Sequence, residues 1–212
     1  MIPITPLLFL FLLSATPCTS FWFAPWLCLE RCGDSSQDID AQMTQFRANT
    51  SSFTDVAFEI FNLGPNSTLI LNNLTRVASP LKQLGLSTWA MISSYPYPPE
   101  FLTWMRQVFT DPQPFITSLV SQALDLGLTG VNVDWEPTSG NGAPPLTPAD
   151  PLNYASFLDT LSAALHEHGI LVSVDVATWS AIWDLEAIGA TRVDYIMNME
   201  TCEEWQRFSR RQ

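Results

Sequence analysis

Basic residues are scarce: the 212-residue chain holds 9 Lys and Arg against 21 Asp and Glu, for a formal net charge of −12. A nucleic-acid surface needs clustered cations to neutralise phosphates, so this balance argues against DNA and RNA partners. Charge of either sign is sparse as well, at 14% of residues, while 47% are hydrophobic and 12% aromatic. Such a chain has the apolar area for a core and lacks the composition of a disordered protein; one globular domain is expected. Also missing is any run of about 20 continuous apolar residues, the length a membrane-spanning helix requires. Histidine and cysteine are few, with 2 and 4 copies. Cys28 and Cys32 have no second cysteine pair or histidine cluster beside them, so a local disulfide or a bridge to Cys202 is favoured over a metal site. His166 and His168, just before Gly169, read as the solvated C-terminus of a helix. No metal and no cofactor are expected.

What is present begins with a leader. Residues 1–20 contain an apolar run from Leu7 to Leu13, then small residues with Cys18 and Ser20 placed for cleavage. This reads as a secretory signal peptide, which implies a secreted or a lysosomal or other endomembrane-lumen destination. Three Asn-x-Ser/Thr acceptors, Asn49, Asn66 and Asn73, fit that route as glycosylation sites. Loss of Cys18 with the leader would leave an odd number of cysteines, one without a partner.

Beyond the leader the hydrophobic pattern alternates between short β-type runs and helical stretches. Strands are expected at 21–27, 55–61, 88–93, 130–136, 170–176 and 193–199, and helices at 38–48, 74–84, 100–109, 116–125, 151–168 and 181–188. Strand-helix alternation without adjacent hairpins means a parallel sheet with crossover helices. Proline-rich segments at 95–99 and 137–151 follow the third and fourth strands, at the end where such folds build active sites. The fourth strand separates a closed barrel from an open doubly wound sheet. In Val131-Asn132-Val133-Asp134-Trp135-Glu136 polar and apolar residues alternate strictly. A parallel strand covered by helices on both faces would be apolar on both, so the polar face looks into a barrel interior. The expected fold is α/β, a TIM-type (β/α) barrel.

Asp134 and Glu136 on that face have Cα atoms about 6.6 Å apart, two strand rises. Paired carboxyls in a partly desolvated interior favour one retained proton, giving a general acid beside an anion. That pairing can protonate a glycosidic oxygen while the neighbouring charge steadies the positive centre that develops. A buried acidic pair that only holds the barrel mouth together is the structural alternative.

Thr129 to Pro137, TGVNVDWEP, resembles the fourth-strand signature of glycoside hydrolase family 18, the chitinases and their relatives, whose pattern is Asp-Gly-x-Asp-x-Asp-x-Glu. Gly130, Asp134 and Glu136 match it, while Thr129 and Asn132 replace the two earlier aspartates. Asn at the position of Asn132 is similar to the di-N-acetylchitobiase branch, which SVDVATWS from Ser173 and VDYIMNM from Val193 also resemble. The resemblance implies hydrolysis of β-1,4-linked N-acetylglucosamine oligosaccharides by a substrate-assisted retaining route. In it Glu136 is the general acid/base, Asp134 orients the 2-acetamido group and Asn132 hydrogen-bonds Asp134. Met199 matches the methionine of the family's Met-x-Tyr motif, but Thr201 stands where the tyrosine belongs and is shorter by a ring. Asp175 and Trp179 are candidates for lining the sugar site, and Trp135 is a weaker one for stacking on a sugar face. Members with incomplete catalytic sets act as glycan-binding, chitinase-like lectins, so a binding role or a non-functional product is the alternative.

Length carries a further expectation. Six strands fit in residues 21–212, whereas an eight-stranded barrel takes about 250 residues. Three of the nine basic residues fall in the last six positions. The domain is therefore expected to be an incomplete barrel, cut after about the sixth strand, with divergence near 199–202 through truncation, splicing or a faulty gene model. Exposed first and last strands would then be liable to aggregate.

Overall fold

The computed structural model describes residues 24–27, 36–72, 74–137 and 142–199. The segments 1–20, with Cys18, and 200–212, with Thr201 and Cys202, lie outside the described residues, as do Cys28, Cys32 and Asn73.

Six strands make one parallel sheet in the order β1 (Trp26–Leu27), β2 (Asp55–Gly64), β4 (Ser87–Ser93), β5 (Gly130–Asp134), β6 (Leu171–Val176) and β7 (Tyr195–Asn198). Each sequence neighbour is thus a spatial neighbour, as right-handed crossovers through helices produce. Those helices are α1 (Ser36–Ala48), α2 (Ala78–Lys82), α3 (Phe101–Thr110), α4 (Gln113–Leu126), α5 (Asp150–His166) and α6 (Leu185–Gly189). Local chemistry explains several of their limits. Gly127 closes α4 in the left-handed conformation at φ +60. Asp184 caps α6, its side chain accepting from Glu186 N–H at 3.1 Å and Ala187 N–H at 3.0 Å. The helix expected over 181–188 therefore starts four residues late, at the cap.

One expectation fails outright. A hairpin does occur: β3 (Thr68–Leu71) runs antiparallel to the end of β2, pairing Gly64 with Thr68 and Phe61 with Leu71. Thr68 N–H reaches Pro65 C=O at 3.2 Å. The central residues of that turn, Asn66 and Ser67, both sit at φ +57, as a mirrored hairpin turn requires. The helix expected over 74–84 is likewise split into a 3-10 turn, Thr75–Val77, and the short α2, with Pro80 lacking the N–H a longer ladder would use.

The sheet is curled. Neighbouring parallel strands lie about 4.8 Å apart, so β4 and β7, three steps apart, would be separated by about 14 Å if the sheet were flat. The rings of Trp89 on β4 and Tyr195 on β7 nevertheless meet edge to face across the concave side at 5.8 Å. Gly130, in register with Trp89, makes room: a Cβ there would fall inside the indole ring's envelope. Trp89 also donates its indole N–H to Asp55 at 2.9 Å, which satisfies a carboxylate on this inner face. The convex face carries the apolar core. Val131, Val133 and Trp135 of the β5 segment are buried there against α3, α4 and α5. The fold is thus the expected TIM-type arrangement in partial form, and among the described residues the barrel stays open between β1 and β7.

His166 is not simply solvated. Its Nε2 lies 2.9 Å from Asp194 Oδ2, which also accepts the N–H of Val172 at 2.7 Å and so ties the end of α5 to the start of β7. No helix among the described residues is long and apolar enough to cross a membrane.

Candidate active site

Strand parity builds the site. Because successive side chains alternate, Asn132 and Asp134 on β5, and Ser173 and Asp175 on β6, all project into the concave interior. Register then sets Asn132 beside Ser173. The Asn132 amide nitrogen donates to Ser173 Oγ and to Asp175 Oδ1, both at 3.0 Å. A carboxyl in this position would need a proton to face Asp175 at that distance, whereas an amide brings its own donors. Asn132 thus supplies both donors of this contact, while its own buried Oδ1 has no hydrogen-bond partner among the described residues. Asp134 and Asp175 are each 1% exposed.

Glu136 lies two residues beyond the last β5 residue, half-buried at the C-terminal rim. The loop after β4 grips it. Its N–H donates to Ser94 Oγ at 3.3 Å, and its Oε1 accepts from the Tyr97 hydroxyl at 3.4 Å. Ser94 N–H in turn reaches Asp134 C=O at 3.2 Å. Tyr97 follows a cis Tyr95-Pro96 peptide and has φ +61. Neither Tyr97 nor Ser94 is among the site residues expected from sequence. The sequence signals for them are the proline-rich segment 95–99 and the polar residues ending β4.

The other candidates are distributed as follows. Met199 packs partly buried against the core, its N–H bonded to Val176 C=O at 2.9 Å, and shares a cleft wall with Asn132 and Asp175. That cleft, about 440 Å³ with largely apolar walls, reaches from Trp26 to Met197 but does not include Asp134 or Glu136. It is the hollow of the curled sheet, lined from β1, β2, β4, β5, β6 and β7. Trp179, after β6, is 49% exposed and stands edge to face on the buried Trp183 at 4.5 Å. Trp135 is the clear correction: it is fully buried, stacked on Phe157 at 4.9 Å and flanked by Phe115 and Tyr154. No sugar can reach that ring. Asn49 is exposed after α1, and Asn66 is exposed at the hairpin tip. Among the described residues no group of three or more His, Cys, Asp or Glu side chains is placed to hold a metal ion.

Tyr154 and Asp150 are both strongly perturbed. Burial pushes the Tyr154 hydroxyl well above its ordinary range, and the nearby charges of Asp134 and Asp175 push it further, so it stays a neutral phenol behind the site. Asp150, at the start of α5, is held down to about 2, chiefly by the Arg106 guanidinium and then by bonds from Thr147. Arg106 spans Asp150 in a two-pronged contact at 2.8 and 2.7 Å and donates to Pro145 C=O at 2.8 Å. This staple fastens the proline-rich loop after Glu136 to α3.

A pH effect follows. The folded-state value is depressed, so Asp150 contributes stability in full above about pH 4 and loses it as pH falls through about 2. The shift corresponds to on the order of 2 kcal/mol. Urea unfolding of wild type and Asp150→Asn should give a stability gap that narrows by about that amount between pH 5 and pH 2. A gap independent of pH would contradict the assignment.

No family model matches this chain, and no curated protein matches it in sequence. Solved structures do. A chitinase from Chromobacterium violaceum ATCC 12472 superposes with a TM-score of 0.63 and 23% identity, covering 84% of this chain and 55% of that one. The spore cortex-lytic enzyme SleL of Bacillus cereus gives 0.66 and 20%, covering 83% and 40%. The GH18 chitinase ChiB of Flavobacterium johnsoniae gives 0.58 and 16%, covering 83% and 52%. At these identities the likeness establishes the fold, a portion of the TIM-type barrel. The chain spans about half the length of the structures it matches.

Proposed function

We propose that this chain carries the acid/base half of a family 18 type glycosidase site and acts on β-1,4-linked N-acetylglucosamine oligosaccharides. The observation that carries the reading is the joint placement of Asp134 and Glu136. One is buried on the interior of β5 beside the Asn132–Asp175 pair, and the other is at the C-terminal rim in reach of solvent. In this fold that rim is where catalytic groups sit.

In the proposed reaction Glu136 gives its proton to the glycosidic oxygen as the bond from C1 breaks. The carbonyl oxygen of the substrate's own 2-acetamido group bonds to C1 from the other face, and Asp134 holds that group's N–H. Water then attacks C1, Glu136 takes back the proton, and the configuration is retained. Asn132 donates to Asp175 in the interior, Met199 lines the same cleft beside them, and Trp179 offers an exposed ring for a sugar face. The similarity to the di-N-acetylchitobiase branch points to short oligomers, from chitin or from N-glycan cores. A leader over 1–20 and glycosylation at Asn49, Asn66 and Asn73 would place the protein in the secretory lumen or outside the cell.

Hydrolysis of a fluorogenic chitobioside by wild type and by Glu136→Gln tests the reading; equal rates would end it. Thr201 in the tyrosine position favours a second reading, a glycan-binding protein without turnover, which binding with no hydrolysis by wild type would support. Trp179→Ala should weaken binding of chitin oligomers by about 5- to 10-fold in calorimetry, since roughly 1 kcal/mol of ring burial is lost. Unchanged affinity would remove Trp179 from the sugar site.

A further inference from the structure

The loop between β4 and α3 is held in a conformation that connecting a strand to a helix does not require. Tyr97 sits at φ +61, the left-handed region, which costs an aromatic residue on the order of 1 kcal/mol. Surrounding bonds enforce it. The 6% exposed Asn62 donates its amide N–H to Tyr95 C=O at 2.7 Å, Tyr95 N–H reaches Ser93 Oγ at 2.9 Å, and Tyr97 N–H reaches Ser94 C=O at 2.8 Å. The Tyr95 ring meets the Tyr97 ring edge to face at 6.2 Å. What this arrangement delivers is a phenol aimed at the carboxyl of Glu136, at 3.4 Å from Oε1, while Ser94 of the same loop accepts the Glu136 N–H. Backbone and side chain of one residue are thus both held from one neighbouring loop.

We infer that Tyr97 is a positioning residue for Glu136: its hydroxyl donates to Oε1 and fixes the rotation of the carboxyl at the rim. The inference rests on the glycosidase reading for its catalytic consequence, but the contact itself does not. Glu136 lies two residues beyond the end of β5 and is only half-buried, so more than one carboxyl rotamer is open to it, and the Tyr97 contact favours one of them. A misplacement of about 1 Å at a reacting group lowers rate far more than it lowers binding. A long hydrogen bond in the unliganded site is also one that can tighten when substrate excludes water.

Tyr97→Phe keeps the ring and removes the donor. With the full chain and a fluorogenic chitobioside, it should lower kcat on the order of tenfold, leave KM within about twofold, and leave the urea midpoint unchanged. A kcat equal to wild type, or a loss confined to KM, would overturn the positioning role. A second measurement needs no turnover. The chain has 4 tyrosines, so uniform 3-fluorotyrosine labelling gives a fluorine spectrum in which Tyr97→Phe identifies the Tyr97 resonance. Glu136→Gln should shift that resonance and leave the Tyr154 and Tyr195 resonances in place; an unmoved Tyr97 resonance would overturn the contact. Absence of hydrolysis by wild type, with the fluorine shift present, would instead overturn the glycosidase reading and keep the contact.

Discussion

Trp135→Ala should cost the fold about 3–5 kcal/mol, read as a fall in the urea midpoint with little change in slope. The ring is fully buried at the meeting point of β5, α3, α4 and α5, with Phe101, Phe115, Tyr154 and Phe157 around it. Removing a buried indole leaves a cavity that four large rings cannot collapse to fill. Since whole domains are stable by only about 5–15 kcal/mol, this one change removes a large share. The same residue lies between Asp134 and Glu136 in sequence, so loosening it disturbs both. Trp135→Phe should be milder: the indole N–H has no hydrogen-bond partner among the described residues, so nothing polar is broken. A Trp135→Ala protein as stable as wild type would contradict the packing described.

Glu136→Gln should reduce hydrolysis by 10²- to 10⁴-fold, the usual contribution of a positioned acid/base group. Glutamine preserves the shape of the side chain and can still accept from Tyr97, so oligosaccharide binding should survive. Asp134→Asn is the companion case. It keeps a hydrogen-bonding group at the interior position and removes its charge, and in the proposed route that charge stabilises the positive intermediate. The expected outcome for both variants is loss of kcat with retained affinity for chitin oligomers, checked by pairing initial rates with calorimetry.

Much of this was legible in the residues because its determinants are local. Strict alternation over 131–136 put Asn132, Asp134 and Glu136 on one face and Val131, Val133 and Trp135 on the other. The structure has that parity, with the apolar set in the core. Trp135 was nevertheless a weaker candidate for sugar stacking, and the structure overturns it, because its ring lies on the helix-facing side and is covered there. The β2–β3 hairpin was hidden for a different reason. Its turn has neither Asn-Gly nor Asp-Gly, and β3 is four residues long, too short for periodicity to mark. Tyr97 and the Arg106–Asp150 staple needed three-dimensional proximity across 39 and 44 residues of sequence, which no spacing rule reaches. The pairing of Asn132 with Asp175 depended on register between two strands, again a non-local fact.

The most direct test of the central claim is the stereochemistry of the first product. Proton NMR of a chitin oligomer, followed from the first minutes with the full chain, should show the β-anomer of the newly formed reducing end appearing before mutarotation. Glu136→Gln should release no product on that timescale. The α-anomer forming first, or equal product formation by Glu136→Gln, would contradict a substrate-assisted retaining reaction driven by Glu136.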